Sequence, residues 1–195
     1  MIAASDVSAV LVTRGDVDLA PIVESLAGFG EIVIWDNSVE TDLAVYGRYA
    51  AIERCARRVV FVQDDDVVLD PVALHRLCLN YEPAVLVANM PQRFRDTGFY
   101  DDHCLVGFGA ILDRDLPAKA FRKFDWKLPF SERRPDPWLW RRTCDITFTA
   151  LTPRKLLDLP YTDREFASAP NRMWKQGSHV AERARMLELV RQVAA

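Results

Sequence analysis

The 195-residue sequence predicts a single α/β domain over residues 1–195, with a mixed, mainly parallel sheet flanked by helices. Three observations carry that expectation. Two units of apolar run plus helical pattern precede a third apolar run, an order that favours parallel strands. Each of these three runs ends in a polar cluster, Thr13-Arg14-Gly15, Asp36-Asn37 and Asp64-Asp65-Asp66, as the carboxyl ends of strands facing a ligand crevice would. Half of the residues are hydrophobic, enough for a full core in a chain of this length.

In chain order, 8–13 is short, apolar and β-branched, and reads as a buried first strand. Leu19, Ile22, Val23 and Leu26 then recur at helical spacing, with Gly28 or Gly30 as the stop. A second strand covers 31–35, and 46–58 reads as a helix with Ala50, Ala51 and Ile52 inward. The third strand is Val59-Val60-Phe61-Val62-Gln63, running into the triplet. Asp70-Pro71 is a helix start, cap followed by proline, for a helix over 72–81. A strand over 84–88 follows, then a long polar and aromatic segment over 91–104. The run 106–112 is expected as a strand whose glycines permit close backbone approach. A helix covers 117–124, a surface loop rich in proline, tryptophan and arginine covers 125–142, and helix resumes over 143–151. The last helix, 178–193, puts Val180, Ala184, Leu187 and Val190 on one face.

The acidic triplet is the most informative feature. Three adjacent carboxylates at the end of a buried strand repel one another and resist desolvation, so a cation is expected to hold them together. Val60-Phe61-Val62-Gln63-Asp64-Asp65-Asp66 resembles the D-x-D motif of GT-A nucleotide-sugar glycosyltransferases, and the order of elements is similar to exostosin-like and related bacterial members. The resemblance implies a single Rossmann-like GT-A domain and a metal-dependent enzyme using a nucleotide-diphosphate sugar, with UDP as its nucleotide. Asp66 would then hold a divalent metal, Mn²⁺ or Mg²⁺, that bridges the diphosphate, Asp64 would reach the ribose or a metal-bound water, and Asp65 would also bind the donor.

Further positions follow from the same likeness. Thr13 and Arg14 fall where the family holds base and ribose, and Asp36 or Asn37 where it reads the base. Arg48, in Gly47-Arg48-Tyr49, would touch the nucleotide or else be a solvated arginine at a helix start. Gly107 to Gly109 would lie under the donor sugar. Cys144-Asp145-Ile146-Thr147-Phe148 resembles the family's acidic helix start, with Cys144 in place of its first acid; Asp145 would be the acceptor-facing carboxylate, a general base or a stabiliser of oxocarbenium charge, or simply an acid in a first helical turn. His179 would complete the metal shell or touch the diphosphate, or serve a structural role. The segment 167–177, with Arg172, Trp174 and Lys175, would close over the phosphates or form a basic solvated loop. His75 is expected on an exposed helix face, and His103 in the long loop.

The same triplet also fits the nucleophile motif of haloacid-dehalogenase-like phosphatases through Asp64 and Asp66, although that motif sits on a first strand and needs a later magnesium motif that the chain lacks. A non-catalytic nucleotide-binding module of the same fold is the other alternative. A net charge of −3 disfavours non-specific nucleic-acid binding. The acceptor is open among a glycan, a protein side chain, a lipid-linked sugar and a modified nucleic-acid base. Four widely spaced cysteines read as buried free thiols, and without a membrane span or signal-like start the expected location is cytoplasmic.

Overall fold

The computed structural model describes residues 1–127, 137–164, 172, 175 and 178–194. In chain order the elements are β1 (Val7–Thr13), α1 (Ala20–Ser25), β2 (Glu31–Asp36), α2 (Gly47–Arg54), β3 (Val59–Asp64), β4 (Val67–Leu69), α3 (Pro71–Asn80), β5 (Leu86–Asn89), α4 (Gln92–Arg95), β6 (Ala110–Asp113), α5 (Leu116–Lys127), α6 (Pro137–Ala150), β7 (Arg154–Leu157), β8 (Tyr161–Asp163) and α7 (His179–Ala194). Six strands form one sheet in the order β2-β1-β3-β6-β5-β7. β1 pairs in parallel with β2 and β3, and β5 with β7, while β6 runs antiparallel to both its neighbours. The architecture is therefore α/β with a mixed, mainly parallel sheet. β4 and β8 make a separate antiparallel pair beside the cleft.

Every residue of β1 is buried, which is why its run is apolar throughout instead of alternating. Its side chains still divide by the period of two. Val10 and Val12, with Val60 and Val62 of β3, pack under α2, α5, α6 and α7. Ala9 and Leu11, with Val59 and Phe61, pack under α1 and α3. Helices thus cover both faces. Asp70 caps α3 as expected, accepting from the Ala73 amide at 2.7 Å, and His75 is exposed on that helix.

Four expectations need correction. The strand expected at 106–112 is regular only from Ala110, because Gly109 takes φ +98° in a turn closed by its N–H on the Val106 carbonyl. The helix expected over 46–58 stops at Arg54, and Cys55 is already extended. The loop expected over 125–142 lies partly outside the described residues, at 128–136, with Arg133 and Arg134, but Pro137 to Arg142 is the first part of α6. Proline suits a first helical turn, and Trp140 is buried, 5.1 Å from the Phe121 ring and stacked on Phe124. On α7 the buried face is Arg183, Met186, Leu187 and Val190, whereas Val180 and Ala184 are exposed. All four cysteines are free and buried, as expected. No described helix is long and apolar enough to cross a membrane.

Candidate functional site

From β1 the chain adds β2 on one side and β3 on the other, so the sheet order reverses at β1. Crevices for ligands open at such a switch point, outside the carboxyl ends of the strands. A cleft of about 910 Å³ lies there, bordered by Thr13 and Arg14 after β1, Asn37 after β2 and Asp64, Asp65 and Asp66 at the end of β3. The same cleft is also lined by Arg142 and Asp145 of α6 and His179 and Arg183 of α7.

The three carboxylates have three different environments. Asp65 is buried, accepting from Thr13 Oγ1 at 2.9 Å and from Arg172 Nη1 at 3.0 Å. Asp64 Oδ1 accepts from Arg48 Nη2 at 2.6 Å, and a third of its side chain is exposed. Asp66 lines the cleft, and no described side chain hydrogen-bonds to its carboxylate. Burial, then repulsion from Asp65, raises the pKa of Asp66 against the pull of Arg172 and Arg48. Burial is also the main force on Asp64, whose pKa rises to about 7 because Arg48 only partly offsets it and Asp66 and Asp145 add to it. Between an unfolded pKa of 3.8 and that value, the folded chain retains a proton that the unfolded chain has released. Stability therefore falls as pH rises through this window. Thermal denaturation in chelator should show a steeper loss from pH 5 to pH 7.5 for the parent than for Asp64→Asn.

Arg48 is not solvated. It is 3 % exposed and bridges the cleft, with Nη2 on Asp64 and Nη1 on Asp145 Oδ2 at 2.9 Å. Burial alone would lower its pKa, but Asp145 and Asp64 together raise it, so the guanidinium stays charged. The second oxygen of Asp145 accepts from the Tyr49 hydroxyl at 2.5 Å. Tyr49 is held edge-on against Phe121 and Phe148, and burial, then Asp145, pushes its pKa well up, so it stays a donor. Asp145 is thus oriented by two donors, and 17 % of its side chain remains exposed at the cleft. Each oxygen keeps a further lone pair for a ligand hydroxyl.

Other expected residues serve the frame. Asn37 Oδ1 accepts from the Leu43 amide at 2.9 Å and Trp35 Nε1 at 3.1 Å, and its Nδ2 donates to the Ala44 carbonyl, so the side-chain amide organises the 38–44 turn. Asp36 accepts from the Ser38 amide and hydroxyl and closes the same turn. Thr13 supports Asp65 and the Gly15 amide. Arg14 lines the cleft and pairs with Asp16 at 2.6 Å. Gly107 accepts from the Asp64 amide at 2.9 Å, and a Cβ there would run into the Asp64 carboxylate, so the glycine lets the acid pack beside this turn.

The oxygen donors at the end of β3 suit a hard divalent cation. Among the described residues no three His, Cys, Asp or Glu side chains gather as a preformed ligand set. Mg²⁺ does not need one, since it is commonly held by one or two carboxylates with phosphate and water completing the shell. Asp66, with Asp64 next, fits that pattern. His179 does not. Burial first, then Arg183 and Arg142, depress its pKa to about 4 against the opposing pull of Glu182. A cation there would meet two guanidinium groups. His103 lies buried, its Nε2 3.0 Å from Arg183 Nη2, and burial first, then Arg183, lowers its pKa to about 3. Of the segment 167–177 only Arg172 and Lys175 are described, and Trp174 lies outside the described residues.

Tyr49, Arg142 and Arg183 were not singled out as site residues in the sequence. Helical spacing holds a signal for two of them, because Trp138, Arg142 and Asp145 fall at i, i+4 and i+7 on α6, and His179 and Arg183 at i and i+4 on α7. Fold and site together define an α/β protein with a cleft at a sheet switch point whose lining carries charged side chains of both signs. No protein-family model and no curated protein matches the chain.

Proposed function

We propose that the chain is a metal-dependent glycosyltransferase of the GT-A class that moves a sugar from a nucleotide-diphosphate sugar, UDP being the nucleotide, to a hydroxyl-bearing acceptor. The observation that carries this reading is Asp66. Of three adjacent carboxylates two are paired with arginines, and the third is left facing a switch-point cleft large enough for a nucleotide sugar.

In this reading the nucleotide lies at the ends of β1 and β2, beside Arg14 and the Asn37 turn. Its diphosphate reaches Asp66 and Asp64. A divalent cation bound there would supply charge neutralisation for the departing diphosphate. Arg48 holds Asp64 and Asp145 at a fixed separation, and its charge offsets the repulsion that burial would amplify. Asp145, steadied by Arg48 and Tyr49, accepts the hydrogen bond of the acceptor hydroxyl and orients it toward the donor. The phosphatase alternative has less support, since Asp64, the nucleophile in that reading, is engaged by Arg48.

Asp145→Asn keeps the volume and removes the charge. It should leave UDP affinity within about threefold and reduce sugar transfer by roughly 10²-fold or more, as loss of a positioned acid–base group does. The check is UDP release from a panel of UDP-sugars, measured chromatographically beside UDP binding. Joint loss of both would make Asp145 a structural residue.

A further inference from the structure

The acidic end of the cleft accounts for only one of its walls. The α6 and α7 lining concentrates buried positive charge that the described residues offset only in part, through Glu182 and Asp145. Arg142 is 7 % exposed, and Arg183 and His179 are each 9 % exposed, yet all three line the cleft. Arg142 Nε and Nη2, Arg183 Nε and His179 Nδ1 are buried without a hydrogen-bond partner among the described residues. Among the described residues Glu182 is the one carboxylate in an ion pair with either guanidinium group, 3.2 Å from Arg142 Nη2 and without hydrogen-bond geometry. Arg183 meets His103 through Nη2, and its guanidinium lies 5.5 Å and 5.6 Å from the Phe99 and Tyr100 ring centres, contacts that hold it in place without neutralising it.

Buried donors without partners, and a buried cation without a counter-charge, are each costly. An oxyanion satisfies both at once. Guanidinium forks match the paired oxygens of phosphate and carboxylate, and the neutral imidazole of His179 can donate as well. His179 also opens a 16-residue helix, where the peptide dipoles add positive potential.

We propose that the α6–α7 wall is an oxyanion-binding subsite, and that the acceptor this protein glycosylates carries a phosphate or carboxylate group. Naming the ligand as the acceptor rests on the glycosyltransferase reading; the oxyanion subsite does not. Arg142 stands one helical turn from Asp145 on α6, so an acceptor anchored by its anionic group would present a neighbouring hydroxyl to Asp145. In the glycosyltransferase reading the donor diphosphate belongs at Asp66, at the end of β3.

The chain has three histidines, which makes the imidazole rings a resolved reporter. The full chain with labelled histidine is titrated with inorganic phosphate and, separately, with acetate, in chelator at constant ionic strength. The His179 ring should shift saturably while exposed His75 on α3 stays still, and the stronger of the two anions indicates a phosphorylated or a carboxylated acceptor. Arg142→Gln and Arg183→Gln should each weaken that binding by about 10-fold or more, as loss of a charge-assisted hydrogen bond does, with Arg122→Gln, at an exposed position of α5, as an unaffected control. Arg183→Gln should retain Mn²⁺-dependent UDP binding within about threefold. Absence of a saturable His179 shift in the parent overturns the subsite, whether or not the variants fold. Loss of UDP together with phosphate in Arg183→Gln overturns the acceptor assignment and makes the site the donor's. A parent that binds phosphate but never UDP refutes the glycosyltransferase reading and, with it, the acceptor assignment, leaving the oxyanion subsite standing.

Discussion

Under the proposed function, Asp66→Asn should weaken metal-dependent UDP binding by roughly 100-fold or more in affinity while the protein stays folded. Asparagine preserves the volume and would take away one hard oxygen ligand of the proposed cation, and the Asp66 carboxylate has no described side-chain hydrogen bond to lose. The raised pKa of Asp66, caused by burial and then by Asp65, means that its charge opposes folding in the absence of a cation. The melting temperature in chelator should therefore stay the same or rise. Calorimetry with Mn²⁺ and a thermal melt check both halves, and a variant that binds Mn²⁺ and UDP as well as the parent does would remove Asp66 from the site.

Arg48→Met has the largest expected effect on stability. The parent guanidinium, 3 % exposed, is the cation that Asp64 and Asp145 share across 97 residues of sequence separation from Asp145. Methionine fills similar space but leaves two carboxylates facing each other at the rim of a buried core. Breaking a buried pair from one side costs about 3–5 kcal/mol. For a chain of this size that is a fall of roughly 6–20 °C in melting temperature. Adding Asp145→Asn should recover part of the loss, because it removes one of the two carboxylates left unpaired and with it their mutual repulsion, and a double variant no more stable than Arg48→Met would show that Arg48 acts through packing alone.

The legible part of this fold is the part whose signals are local. β1 and β3 are buried on both faces and read as unbroken apolar runs, and the Asp70-Pro71 start of α3 carries its cap in adjacent residues. The polar clusters after β1, β2 and β3 stand out for the same reason, and they do converge on one cleft, although Asp36 turns away into its own loop. Long-range pairings left no local mark. β7 and β8 are short and depend on partners far upstream, and the opening of α6 is disguised by proline, tryptophan and arginine that in isolation suggest a loop. Buried arginine inverts the usual expectation of a helix face: on α7 Arg183 is inside and Val180 outside, so hydrophobicity alone rotates the helix the wrong way. Arg48, Tyr49 and Asp145 form one hydrogen-bonded unit, which only the folded chain assembles.

Calorimetric binding of UDP and GDP to the purified full chain, each with Mn²⁺ and with chelator, tests the central claim most directly. Saturable binding of UDP that requires Mn²⁺ and disappears in chelator is the predicted result. Binding of neither nucleotide under either condition would contradict the assignment of the switch-point cleft to a nucleotide-sugar donor.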